Sequence, residues 1–378
     1  MSTRRRFTGF GFILVLLVGT LMAGCAPRTE HTIGAILSLT GSGAAYGEDI
    51  KRGIDLEVEA INAAGGVGGL PLRILMEDSG SDPARGETAA ASLIEQGVSA
   101  IIGGDISSVT LAVAPLAEKA EVVLLSPASS NPKISEAGRF IFRIYPSDVV
   151  EGTMMAEFAL NVMGLKRIMV MAMHNDYGQG LKTVFNRRYR QTPNREIVDV
   201  QNFKQGQSEW SAEIARIREV TPDGIYLVGY PGEMLSFLKT LRGENLQIPV
   251  VSSRSFNEEV MQDPASEGVI FPRDPFDPER NERARTFAES YRNTYGEEPN
   301  IWAANGADTV KLLAEAIENV GPRPNEIRKW LSQVRNWEGA CGLLSFNSNG
   351  DVDKLPVISI VHEGQFISFK EYKEARGR

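Results

Sequence analysis

Residues suited to hold a small anion gather where strands are expected to end. Thr40-Gly41-Ser42-Gly43-Ala44-Ala45-Tyr46-Gly47 follows the first apolar run, Gly103–Thr110 the third, and Ser126-Pro127-Ala128-Ser129-Ser130-Asn131-Pro132 the fourth. Further on, His174-Asn175-Asp176-Tyr177-Gly178, Tyr230-Pro231-Gly232 and Ser252-Ser253-Arg254-Ser255-Phe256 occupy equivalent places. Small serines let a ligand approach the backbone. Their hydroxyls, with the free N–H groups of a helix start, suit a carboxylate. Tyrosines add flat walls with a polar tip. Each segment taken alone also serves as an N-cap or turn, which draws on the same residues. Their recurrence at successive strand ends favours a binding site.

Other chemistries find less support. The chain has two cysteines and three histidines, and His31, His174 and His362 have no metal-ligand spacing, so no metal is expected. Cys341 reads as a buried small hydrophobe. Gly41, Gly43 and Gly47 stand one residue wider than a dinucleotide fingerprint. The acids after the second strand, Glu77 and Asp78, come about 35 residues on rather than ~20. No phosphate loop, nucleophile elbow or metalloprotease helix is present, so neither a cofactor nor an enzyme is expected.

Alternating strands and helices position these loops. Strands are predicted at Thr32–Ser38, Leu72–Met76, Ala100–Gly103, Val122–Ser126 and Phe140–Tyr145, with helices at 47–62, 84–96 and 109–120, the last open to division by Pro115. A second series has strands at Arg167–Met173, Ile197–Val200, Gly224–Val228, Pro249–Ser252 and Gly268–Phe271, with helices at 149–163, 180–190, 209–220 and 233–242. This rhythm predicts two α/β units with mostly parallel sheets covered on both faces. Helices at 281–295, 303–320 and 325–334 and strands at 343–346, 357–362 and 366–368 are too few for a third core. They are expected to complete the first two units, with the chain crossing more than once, near Pro272–Pro278 and Asn347–Asp353.

The N-terminus reads as an export signal. Arg4, Arg5 and Arg6 precede an apolar stretch from Phe7 to Leu21, and Leu21-Met22-Ala23-Gly24-Cys25 closes it. A cysteine after two small residues resembles a bacterial lipobox, with Met22 where leucine is commonest. A plain signal peptide or an anchor helix with an incidental cysteine would share much of this layout. Residues 1–24 are therefore expected to be removed and Cys25 lipidated, leaving about 350 residues, enough for two domains. The net charge of −8 makes a nucleic-acid partner improbable on electrostatic grounds. Beyond the signal no apolar run reaches the length of a membrane span, so contact with the membrane is expected through the lipid alone.

At these loops the chain resembles the extracytoplasmic solute-binding proteins of ABC importers, in the leucine/isoleucine/valine-binding group. The likeness is carried by Leu39-Thr40-Gly41 through Tyr46-Gly47, Glu59–Val67, Asp82-Pro83, Ser126-Pro127-Ala128, Asn131-Pro132, Phe142-Arg143, Pro146-Ser147-Asp148, Asp176–Gly180, and Phe346-Asn347 with Gly350-Asp351. The resemblance implies a two-lobed type I periplasmic-binding fold with three hinge crossings. The first lobe would take residues 31–146 and 275–348, the second 147–274 and 349–378. Family positions that grip the solute carboxylate match Ser107, Ala128 and Ser130, with Ser129 adjacent. Family positions lining the cleft match Tyr46, Tyr177 and Tyr230.

One position departs. Amino-acid binders of the family place an acid where Arg254 stands, to hold the solute's α-ammonium. A guanidinium accepts no hydrogen bond and would repel an ammonium. It would pair instead with a carboxylate or another acceptor. A loop shift of a residue or two would leave Arg254 solvated at the rim. A monomer that delivers an ammonium-free carboxylate to an ABC permease is thus expected, with an amino-acid binder or a sensor serving a separate signalling partner as alternatives. Full-length protein is expected to partition with membranes, and a chain starting near Ala26 to remain in the soluble fraction. Partitioning unchanged by Cys25→Ala would count against lipidation at that thiol.

Overall fold

The computed structural model describes residues 29–256, 260 and 262–376. Residues 1–24, read from the sequence as an export signal, and Cys25 lie outside them. Nearly continuous apolar runs build the first sheet, as expected for strands buried on both faces. It comprises β1 (His31–Leu37), β2 (Leu72–Asp78), β3 (Ala100–Gly103), β4 (Val123–Ser126) and β5 (Ile141–Arg143), in the order β2-β1-β3-β4-β5. Every neighbouring pair is parallel. The connecting helices are α1 (Ala44–Ala63), α2 (Pro83–Glu95) and α3 (Ser107–Ala120). Pro115 lies within α3 without dividing it.

The second sheet has seven strands. Its parallel part is β6 (Arg167–Met173), β7 (Glu196–Phe203), β8 (Gly224–Val228), β9 (Val250–Ser252) and β10 (Ile270–Arg273). Helices α4 (Asp148–Asn161), α5 (Asp176–Arg190), α6 (Ser211–Val220) and α7 (Pro231–Gly243) alternate with these strands.

The remaining elements divide between the two sheets. Helix α8 (Glu282–Tyr295) precedes α9 (Ile301–Val320) and α10 (Pro324–Gln333), and α9 packs along α1. A two-stranded ribbon, β11 (Trp337–Gly339) and β12 (Gly342–Leu344), follows. Strand β13 (Val357–His362) then joins the second sheet antiparallel to β10, and β14 (Gln365–Ser368) pairs antiparallel to β13, before the final helix α11 (Phe369–Arg376). The chain therefore passes between the sheets after β5, after β10 and before β13.

Buried polar bonds secure the last of these passages. Phe346 bridges Val352, and Arg143 N–H donates to Gly350 O. The Arg143 side chain is fully buried and saturated: Nε meets Asp351 at 2.6 Å, Nη1 meets Asn131 O at 3.0 Å, and Nη2 meets Ser135 Oγ at 2.8 Å.

Close backbone contact explains two glycines where α1 crosses α9. A Cβ on Gly53 would stand 1.8 Å from Ala303 O, and one on Gly306 2.2 Å from Ile50 O. Only bare backbones fit there. Gly53→Ala is expected to lower unfolding stability by about 1–3 kcal/mol in urea denaturation, the usual cost of overpacking. Gly243→Ala, which meets nothing within 4 Å, is the control and should change it by less than about 0.5 kcal/mol.

Candidate functional site

The strand ends of the two sheets face each other across a small cavity. On the first-sheet side, the loops after β3 and β4 are locked together by hydroxyls. The hydroxyls of Thr110, Ser126 and Ser129 lie 3.0, 2.7 and 3.0 Å from Gly104 O, and one of Thr110 and Ser129 donates to the other across 2.6 Å. Ser126 Oγ in turn accepts from Ser129 N–H at 3.0 Å. Ser107 Oγ accepts from the N–H groups of Ser130 and Asn131, at 3.3 and 3.2 Å. With its lone pairs so used, the Ser107 hydroxyl keeps its hydrogen to donate.

Ser107 also begins α3, whose first turn has no side-chain cap. The partial positive charge of a helix start thus lies beside Ile106, Ser107, Ala128 and Ser130, all of which line the cavity. Ser129 does not line it. Its hydroxyl is spent on Thr110 and Gly104 and its N–H on Ser126, which corrects the expectation that it offers groups to a ligand.

Aromatic rings close the sides. Tyr177 and Tyr230 lie parallel, 5.7 Å apart, and Tyr230 meets Tyr46 edge-on at 6.1 Å. Trp302, one residue into α9, sits between Tyr46 and Tyr145 at 5.1 and 5.0 Å. Trp302 and Tyr145 escaped the sequence reading. Nothing local marks Trp302 as a neighbour of Tyr46, since α9 belongs to the late segment that returns to the first sheet.

Bonds also cross the gap between the sheets. Tyr46 Oη donates to Ser255 O at 2.8 Å, Asn131 Nδ2 donates to Asp176 O, and Asp176 N–H donates to Ser108 Oγ at 3.3 Å. The enclosed space is about 30 Å³, room for one or two waters. Entry of anything larger requires the walls to part.

Arg254 lines the cavity and is buried, so it is not a solvated rim residue. Its backbone N–H and Nε bind the two oxygens of Glu151 at 3.1 and 2.8 Å, and Nη1 binds Asp274 at 2.6 Å. The guanidinium lies 5.1 Å from the centre of the Tyr145 ring. Its Nη2 has no partner among the described residues, unlike the saturated Arg143. Two carboxylates against one guanidinium remove the bare positive charge that the sequence suggested. Repulsion of an ammonium is therefore not the reason for any selectivity here. What remains is a buried donor without an acceptor, a costly arrangement unless a guest supplies one. Glu151 was missed because it looks like an ordinary acid in the first turn of α4, where acids are common. A buried arginine demands such partners, but sequence alone does not say which acids supply them.

Two further buried carboxyls lie nearby. Asp105 lines the cavity with its oxygens turned to Ser38 N–H and hydroxyl, and burial, tempered by those bonds, pushes its pKa up to about 6. Asp148 is completely buried beside Glu151. Burial and then that neighbour's charge push it up to about 8, while the Ser130 hydroxyl lies close enough to moderate the shift without forming a well-aligned bond. Glu151 is also raised, first by burial, with Arg254 opposing.

Comparison with known proteins places this architecture. The profile of the periplasmic binding proteins matches residues 30–353. The chain belongs to that family. A Leu/Ile/Val-binding protein homolog from Brucella suis is 25% identical over 347 residues, covering 90% of this chain and 92% of the relative. The leucine binding protein LivK of Thermotoga maritima is 30% identical with a TM-score of 0.82, covering 89% and 97%. LivJ of Streptococcus pneumoniae, solved with isoleucine, is 26% identical with a TM-score of 0.81, covering 90% and 98%. The fold is the two-lobed type I periplasmic-binding fold, and the group is that of branched-chain amino acid ABC substrate-binding proteins. Among the described residues no helix is long and apolar enough to cross a membrane.

A carboxyl whose pKa rises on folding contributes stability that is complete below its unfolded pKa. That contribution is lost as pH climbs through the folded value. For Asp105 and Asp148 the loss runs from about pH 4 to about pH 8. Asp148→Asn, neutral at every pH, is expected to flatten the decline in unfolding free energy between pH 6 and 8.5. An unchanged slope in urea titrations across that range would exclude a protonated Asp148.

Proposed function

We propose that this protein captures a small carboxylate-bearing solute outside the cytoplasm by closing two lobes on it and delivers the solute to an ABC permease. Residues 31–146 and 275–348 make the first lobe, residues 147–274 and 349–378 make the second, and a lipid on Cys25 tethers the monomer to the membrane. The protein performs no covalent chemistry. The carboxylate sits at the start of α3 against Ser107, Ala128 and Ser130. Tyr46, Tyr177 and Tyr230 wall the cleft. Arg254 selects an acceptor at the far end of the solute.

The observation that carries this reading is that two residues with unsatisfied groups line one cavity: Ser107, a donor at the uncapped start of α3, and Arg254, whose buried Nη2 has no partner among the described residues. A solute with acceptors at both ends satisfies both. Contacts made only when the lobes are shut then shift the balance toward the closed form. A second reading, an amino-acid binder, is favoured by Glu151, whose carboxylate lines the same cavity and could attract an ammonium. The relatives named for leucine, isoleucine and valine support it too.

A calorimetric screen separates the readings. Dicarboxylates, aromatic acids, amides and branched-chain amino acids are titrated into wild type and Ser107→Ala. Ammonium-free acids are expected to bind wild type. Ser107→Ala should weaken them about 10- to 100-fold, the loss of one hydrogen bond to a charged group at roughly 1.5–3 kcal/mol. Tight binding of leucine would replace the selectivity reading by the amino-acid one. Full affinity in Ser107→Ala would sink the proposed carboxylate seat.

A further inference from the structure

Behind the solute cleft lies a second, larger cavity of about 610 Å³, bounded by the three stretches that pass between the lobes. Ile144 and Tyr145 come from the first passage, Asp274 and Arg280 from the second, and Lys354 and Leu355 from the third. Its size is that of a small-molecule site.

The lining is chemically asymmetric. Arg280 Nη1 donates to Cys341 O at 2.7 Å, and Lys354 Nζ reaches the same carbonyl at 3.5 Å. Two cations thus converge on one spot. Among the described residues neither is in an ion pair, although most of the described arginines are. Leu343, Leu355 and Val357 line the same cavity and are 64%, 83% and 47% exposed. The described residues include only two other large hydrophobics exposed to this degree, Val149 and Val162, so the clustering is not an even scatter. Asn305, buried, also lines the cavity and its Oδ1 has no partner.

This cavity shares its wall with the solute cleft. Tyr145 lines both. Asp274, on the hinge side, is the acid that binds Nη1 of Arg254. Asn305 donates through Nδ2 to Pro127 O, in the loop that carries Ala128 and Ser130.

We infer that the hinge cavity is a second ligand site, taking a small amphipathic monoanion with its head on Arg280 and Lys354 and its tail on Leu343 and Leu355, and that its occupancy is coupled to solute binding. Glu338 in the same lining disfavours a second negative charge, whereas Asp274 is already paired with Arg254. Because the walls are the hinge passages themselves, an occupant favours whichever lobe angle fits it. Coupling of this kind is reciprocal: the solute changes the anion's affinity by the same factor.

Octanoate is the probe. Titrated calorimetrically into the full mature chain, it is expected to bind with a submillimolar Kd. Arg280→Ser with Lys354→Ser should weaken it at least tenfold, and so should Leu355→Glu, a change at an exposed site. Ser107→Ala should leave it intact, and saturating octanoate should shift the affinity of a solute identified by the screen at least twofold. Several results overturn the inference: no octanoate binding, binding lost in Ser107→Ala but kept in the hinge variants, or binding indifferent to all of them. A concentration-dependent dimer dissolved by Leu355→Glu, without octanoate uptake, would instead assign the face to a second copy. Failure at the hinge leaves the solute reading standing, since that reading is tested by Ser107→Ala with other ligands.

Discussion

The second-lobe wall of the cavity depends on the pairing of buried Arg254 with Glu151 and Asp274. These three come from the loop after β9, the first turn of α4 and the passage after β10. Together with Tyr145 from the passage after β5, they pin the floor of the second lobe to the hinge. Removing one member of such a cluster leaves a charge buried without compensation, which typically costs about 3–5 kcal/mol. The cluster is therefore a structural requirement. One of its nitrogens, Arg254 Nη2, has no partner among the described residues.

The opposite wall works by another route. Among the described residues no cation lines the first-lobe side of the cavity. The helix start of α3 supplies partial positive charge, and serines are held by a web of hydroxyls centred on Gly104 O. A preorganised neutral cradle of this kind binds an anion with little rearrangement. Asp105 would oppose an anion if its charge were free, but Ser38 absorbs both of its oxygens and burial weakens its acidity.

Much of the fold was legible in the sequence because parallel strands buried on both faces are short unbroken apolar runs. Strands β3, β6 and β8 occupy the residues expected from such runs. Helix starts were read late: α3 begins at Ser107 rather than Val109, and α5 at Asp176 rather than Gly180. The first turn of a helix is polar and resembles a loop. Helix α11 was missed altogether, since none of its residues is buried and no apolar period marks it. The cavity gathered Tyr46, Ser107, Ala128, Ser130, Tyr177, Tyr230 and Arg254, all carried on strand-end loops or the helix starts beside them. Tyr145 and Trp302 were invisible because they enter from a hinge passage and from a helix that returns late in the chain, and Glu151 because it looks like an ordinary first-turn acid of α4. Ser129 misled because its neighbours on both sides do face the cavity, whereas its own groups turn inward to tie the two loops together.

The central claim is a solute held at both ends between the α3 start and Arg254. A crystal structure of the protein with its natural solute bound tests it most directly. The account predicts a carboxylate within hydrogen-bond reach of Ser107 Oγ and the Ala128–Ser130 loop, with an acceptor on Arg254 Nη2. A solute lodged away from these groups, or one presenting an ammonium to Glu151 with Arg254 turned aside, would contradict it.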